Sequence, residues 1–118
     1  MPSNATRGAA AKARSKRWLE CQGYTVFDME KQYVVYTLRG MVPVKRDQLA
    51  ADVGFLDLPN DRVVLVQVKS GAKSTNILLK AAQRAFSAYA FPKTAVRLEL
   101  HVWRLRARAP EVLSICRP

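Results

Sequence analysis

Acidic side chains are scarce in this chain. Its 118 residues carry nine Asp and Glu against twenty Lys and Arg, a formal net charge of +11. So large a surplus in so short a chain points to a polyanionic partner, with nucleic acid first. A basic ribosome- or membrane-associated protein is the plainer alternative. Cysteine is nearly absent: Cys21 and Cys116 stand far apart and form neither a zinc pattern nor a C-x-x-C pair. They read as two semi-buried thiols in a reducing compartment. A single histidine, His101, leaves no second imidazole for a metal site or a proton relay, so a satisfied or exposed ring is its ordinary role. No apolar run approaches the roughly 18 residues of a membrane span. The basic N-terminal segment lacks the apolar core of a secretory signal. A cytoplasmic, DNA-associated protein with no membrane partner is expected.

What is present suits one globular domain over residues 1–118, with residues 1–5 frayed. Hydrophobic residues make up 49% of the chain, a globular and not a disordered composition. From Thr6 the alanines favour a helix ending at Trp18-Leu19, with Gly23 as its stop. Arg7, Lys12, Arg14, Lys16 and Arg17 fall on this helix with no acid among residues 1–19. Their face reads equally as a solvated surface or as a phosphate-contacting one. Residues 24–29 and 33–38 are β-like and are expected to pair around Glu30-Lys31-Gln32. Residues 39–49, with Gly40, Pro43, Lys45 and Arg46, read as a loop whose bases contact DNA backbone. Leu78, Ala82, Ala85, Phe86 and Tyr89 recur at helical spacing over 75–90, capped by Ser74 or Thr75 after a polar loop that holds Lys73. Residues 96–104 alternate apolar and polar as a half-exposed strand does, and 111–116 make a short last strand. Trp18 and Trp103 read as packing residues before base-stacking ones. Helix, strands, hairpin, helix and strands in that order predict an α/β chain with a central mixed β-sheet and flanking helices.

The stretch from Ala51 to Ser70 concentrates the chemistry. Two apolar runs flank Pro59-Asn60-Asp61, which predicts a β-hairpin with strands near 51–57 and 62–69. Gln67 and Lys69 share one face of the second strand by its period of two. Folding the hairpin brings Asp52 roughly opposite Lys69. A carboxylate, an amide oxygen and an ammonium then meet at one end of an apolar hairpin, which suits holding a hard metal ion against a phosphate. Asp57 is the rival carboxylate. It sits beside the turn, expected opposite about Val64, where turn chemistry with Asn60 and Asp61 is its ordinary role.

Gly23-Tyr24, Asp52, Gln67-Val68-Lys69-Ser70 and the following helix resemble, in order, the PD-(D/E)xK nuclease superfamily, and most closely its Holliday-junction resolvase-like members of archaeal and phage type. The likeness spans roughly residues 8–104. It implies a restriction-endonuclease-like fold, a homodimer, and cleavage of branched DNA with Mg²⁺ or Mn²⁺. By the resemblance Asp52, Gln67 and the Val68 carbonyl hold the metal, and Asp52, Gln67 and Lys69 form the catalytic set. The chain departs from the pattern twice. Gln67 stands where an acid is usual, and Lys12 stands where the N-terminal helix often carries a catalytic Glu, with Glu30 as a stand-in. Three functions compete: a metal-dependent DNA endonuclease, a non-catalytic DNA-binding protein of the same fold, and a structural basic protein in which Asp52 and Lys69 form an ordinary salt bridge.

Overall fold

A computed structural model describes residues 4–115, apart from the side chains of 4–7, 30–33, 35 and 42–47. The expectations for residues 1–3, for the side chains of Arg7, Glu30, Lys45 and Arg46, and for Cys116 lie outside the described residues. The elements run α1 (Asn4–Cys21), β1 (Thr25–Asp28), β2 (Glu30–Thr37), β3 (Gly40–Asp47), β4 (Val53–Asp57), a 3₁₀ turn (Leu58–Asn60), β5 (Arg62–Ser70), α2 (Thr75–Phe86), β6 (Val96–Trp103) and β7 (Glu111–Ser114). The helix already includes residues 4 and 5, expected as frayed. Gly23, at φ 92°, ends α1 in the left-handed conformation, where its N–H reaches back to the Glu20 carbonyl.

Five strands form one mixed sheet in the order β1-β4-β5-β6-β7. The pairs β1–β4, β4–β5 and β6–β7 are antiparallel, and β5–β6 is parallel. The parallel pair requires a crossover, and α2 supplies it. Alternation along the strands builds a core on each face. Val64, Val66 and Val68 meet Ala11 and Leu19 of α1 on one side. On the other side Leu65, Leu98, Leu100 and Val102 meet Leu78, Ala82 and Phe86 of α2. Burying a side chain such as Leu100 or Phe86 contributes about 1.5–3 kcal/mol each. Gly54 admits no side chain, because a Cβ there would lie 2.4 Å from the Phe27 ring.

The expected hairpin of 51–57 and 62–69 is present as β4 and β5. Four other expectations fail. β1 does not pair with the next strand; it pairs with β4, and residues 40–47 form β3, which pairs with β2 in a separate two-stranded sheet. Pro43 is tolerated there because that ribbon has only edges. β6 is not half-exposed, since it lies between β5 and β7 with a helix layer over each face. Its polar alternation is a buried network. Ser15 and His101 are fully buried; the Trp103 indole donates to Ser15 Oγ at 2.7 Å, and Ser15 Oγ lies 3.1 Å from His101 Nδ1. On the far side of the ring, His101 Nε2 lies 3.5 Å from Glu99 Oε1. Finally, Tyr89 lies beyond α2 and is exposed, while Leu78, Ala82 and Phe86 pack as expected.

Asp57 plays the turn role. It pairs with Arg62, not Val64. Two hydrogen bonds from the Asn60 amide, at 3.0 and 3.2 Å, hold its carboxyl below the ordinary value of 3.8, assisted by Arg62 Nε at 2.8 Å and opposed by burial. A depressed folded-state value means that the unfolded chain binds more protons, so this turn stabilises the fold fully above about pH 4 and fades as the pH falls through the folded value. Asp57→Asn should therefore lower stability at pH 7 and flatten its loss in acid. Denaturant titrations of both chains from pH 7 to 2 check this; parallel acid limbs would remove Asp57 as the cause.

Candidate nuclease-type site

Asp52 opens β4 at the point where the sheet ladder breaks. The register Val53↔Val66 would, if continued, set Asp52 opposite Gln67, and not opposite Lys69 as expected. Instead the Asp52 N–H donates to the Val66 carbonyl at 2.9 Å, one residue out of step. Its side chain fills the gap: Oδ2 accepts the Val68 N–H at 2.7 Å. A carboxylate thus caps the main chain of β5 where β4 no longer can.

The other oxygen faces a cation. Lys12 Nζ lies 3.0 Å from Oδ1, with Asp52 only 5% exposed and Lys12 26%. The ordinary salt bridge between Asp52 and Lys69 is therefore replaced by one to the first helix. A buried carboxylate without a partner would be costly by several kcal/mol, and the ammonium and the Val68 N–H together offset that. Lys12 sits at the helix position where the resembled family often carries Glu, so this departure has a structural cause. Its charge balances Asp52.

Gln67 is also explained by its surroundings. Its amide Nε2 donates to the Ala50 carbonyl at 3.0 Å. Only an NH₂ group can donate there; a carboxylate would put oxygen against oxygen. Ala50 belongs to a tight turn in which Leu49 and Ala50 have φ of 54° and 60° and the Ala51 N–H bonds the Gln48 carbonyl at 3.0 Å. Both central residues at positive φ make a type I′ geometry that normally takes Asn and Gly. Strain of this kind gathers at functional sites. By alternation from Leu65, Gln67 and the half-buried Lys69 lie on the α2 face, while Lys12 reaches Asp52 from the α1 face. The constellation thus straddles the end of β4.

The remaining bases divide. Arg14 and Arg17 are exposed on α1, while Lys16 pairs with Asp28 at 3.5 Å. Lys73 is exposed in the loop after Lys69. Arg104 fixes that loop: its guanidinium donates to the Gly71 and Lys73 carbonyls at 3.0 and 2.6 Å and to Thr75 Oγ1 at 3.1 Å, and pairs with Glu111 at 3.2 Å. Sequence reasoning missed Arg104, since its partners are main-chain atoms some thirty residues away. It also missed Ser15, a small polar residue among alanines. Trp103 is buried and Trp18 packs edge-on against His101 at 5.6 Å, so both serve the core. Cys21 is a free thiol and is exposed, not semi-buried as expected, because it falls at the open end of α1. No helix of the described residues is long and apolar enough to cross a membrane.

Left-handed backbone costs a non-glycine residue about 1 kcal/mol or more. Leu49 is exposed and adds no core contact to offset it. Leu49→Asn should thus raise stability by about 1 kcal/mol, read from the midpoint of denaturant unfolding. A loss of stability would show that the turn is not strained. Searches with the whole chain match no protein-family model and no curated protein, which leaves the function to the chemistry of Asp52 and its neighbours.

Proposed function

We propose that this chain is a metal-dependent DNA endonuclease of restriction-endonuclease-like fold that acts as a homodimer on branched DNA such as Holliday junctions. The observation that carries the reading is Asp52: a buried carboxylate, at the mouth of the β4–β5 hairpin, with one oxygen fixed by Val68 N–H and the other turned to a cation. The order of parts supports it. A helix, Gly23-Tyr24, a strand, Asp52 at the head of β4, Gln67-x-Lys69-Ser70 at the end of β5 and then α2 follow one another as the resemblance implies. The surplus of positive charge favours a polyanionic substrate.

The residues suit Mg²⁺ or Mn²⁺ in kind. Such ions take hard oxygen ligands, and Asp52 Oδ1 already faces a cation, the Lys12 ammonium. Asp52 would hold the ion together with the Gln67 amide oxygen and the Val68 carbonyl. When bound, the ion supplies Lewis-acid polarisation of the phosphate and an acidified water. Lys69, a point charge on the neighbouring face, would bind a phosphate oxygen and offset the charge that develops there. Arg104 keeps the loop after Lys69 in place, which holds Lys73 near the same backbone. Arg14 and Arg17 extend the contact along α1. A homodimer would pair two such sites, as cutting two strands of a junction requires.

A second reading has its own support. Lys12 occupies the Asp52 oxygen that a metal would use. That favours a non-catalytic DNA-binding protein that keeps the fold. Cleavage decides between them. Linear, forked and four-way DNA should be cut only with Mg²⁺ or Mn²⁺. Asp52→Ala should abolish cutting, Lys69→Ala should slow it about 10²-fold or more, and Asp57→Ala should keep most of it. Binding without cutting under every metal condition would establish the second reading.

Binding itself should be electrostatic. Affinity should fall on the order of a hundredfold or more between about 50 and 200 mM salt. Arg14→Ala and Arg17→Ala should each reduce the slope of log affinity against log salt by about one. Equal slopes for the variants and the parent would take α1 out of the interface.

A further inference from the structure

We infer that Lys12 is the resident counter-ion of Asp52 and that a divalent cation enters the site only by displacing it. The inference rests on the reading of Asp52 as the carboxylate that holds the metal. Three observations lead to it. The Lys12 ammonium stands 3.0 Å from Asp52 Oδ1, within direct ion-pair contact. The second oxygen of the same carboxylate is committed to the Val68 N–H at 2.7 Å, so a cation cannot simply move across to it. Asp52 is almost wholly buried, and there two cations on one oxygen repel far more strongly than in water.

The lysine side chain itself allows the displacement. Lys12 projects from α1 on a long flexible stem and is already 26% exposed, so its head can turn to solvent while the helix stays in place. Lys16, one turn further along α1, makes a comparable reach to Asp28 on β1. The lysine thus fills the cation place of the site with a charge the chain carries itself. Divalent ions then bind more weakly than the oxygens alone would allow, and the fold keeps Asp52 neutralised when none is present.

The probe is Mn²⁺ alone, titrated calorimetrically into the full chain. Lys12→Gln removes the charge but keeps an N–H donor for Oδ1, so the buried carboxylate is not left bare. It should tighten Mn²⁺ binding on the order of tenfold or more. Lys12→Glu, which adds a second carboxylate, should tighten it further. Lys12→Arg, which keeps the charge, should bind no better than the parent. Adding Asp52→Asn should cancel both gains. In the unaltered chain, the Lys12 ammonium resonance, protected while it sits on Asp52, should disappear as Mg²⁺ is added. Its persistence at saturating Mg²⁺ would overturn the inference without any substitution. Unchanged or weaker Mn²⁺ binding in both Lys12→Gln and Lys12→Glu, with binding still lost in Asp52→Asn, would overturn the inference and leave the nuclease reading standing. A gain that survives Asp52→Asn would overturn it too. No Mn²⁺ binding in any chain beyond that of Asp52→Asn would overturn both.

Discussion

One buried carboxylate holds three parts of this molecule in relation. Asp52 Oδ2 continues the β4–β5 ladder through the Val68 N–H, and Oδ1 anchors α1 through Lys12. Its main-chain carbonyl accepts the Met29 N–H at 3.2 Å and so joins β1. A charge taken this far out of water is tolerable only when each oxygen has a strong partner. The arrangement therefore constrains its neighbours. Val68 must present a free N–H, α1 must bring a cation within reach, and the chain before Asp52 must turn sharply enough to leave the ladder. The strained Leu49-Ala50 turn meets the last requirement. Gln67 steadies it from the strand opposite.

The sheet makes this possible by being finished elsewhere. β5 carries apolar residues to both faces, β6 carries Leu98, Leu100 and Val102 to one and its polar network to the other, and a helix layer covers each. The site can therefore sit at a defect without loosening the core. The polar network of Ser15, His101, Glu99 and Trp103 works on the same side as Lys12. It fixes the rotation of α1 against the sheet through the contacts of Ser15 with Trp103 and His101, where apolar packing alone would allow sliding. Lys12 lies three residues before Ser15, hence on the same helical face. The bond from Trp103 to Ser15 thus aims Lys12 at Asp52.

Much of this was legible before any coordinates. The β4–β5 hairpin followed from two apolar runs about a turn, and α2 from its periodic Leu78, Ala82 and Phe86. Asp57 declared itself through Asn60. What failed did so for physical reasons. The β2–β3 ribbon is a sheet apart, and its Gly40, Pro43 and bases mimic a loop because exposed edges tolerate them. The alternation of β6 signals a polar face, and sequence cannot say whether that face meets water or a buried partner. The β4–β5 register would set Asp52 opposite Gln67 and not Lys69, and the step out of the ladder then turns it to Val66 and Val68, shifts that strand periodicity cannot foresee. Lys12 stands out in the sequence only as a departure from the resembled pattern, and its pairing with Asp52 needs the fold to bring them together.

The two departures from the resembled pattern are best understood together. A site with acids at both positions would be strongly negative and would need a divalent ion to be stable. Here Lys12 pairs with Asp52 at 3.0 Å and Gln67 brings no charge of its own. Gln67 adds no charge because its role is to donate to the Ala50 carbonyl, which an acid cannot do. Exchanging Gln67 for Glu therefore would not simply restore a metal ligand: it would set a carboxylate against a carbonyl and release the turn that positions Asp52. The residue that can be exchanged with the least disturbance of the fold is Lys12, whose stem reaches solvent. The charge beside Asp52 is thus set from the helix, and the strand that bears Gln67 is fixed by its own hydrogen bonds.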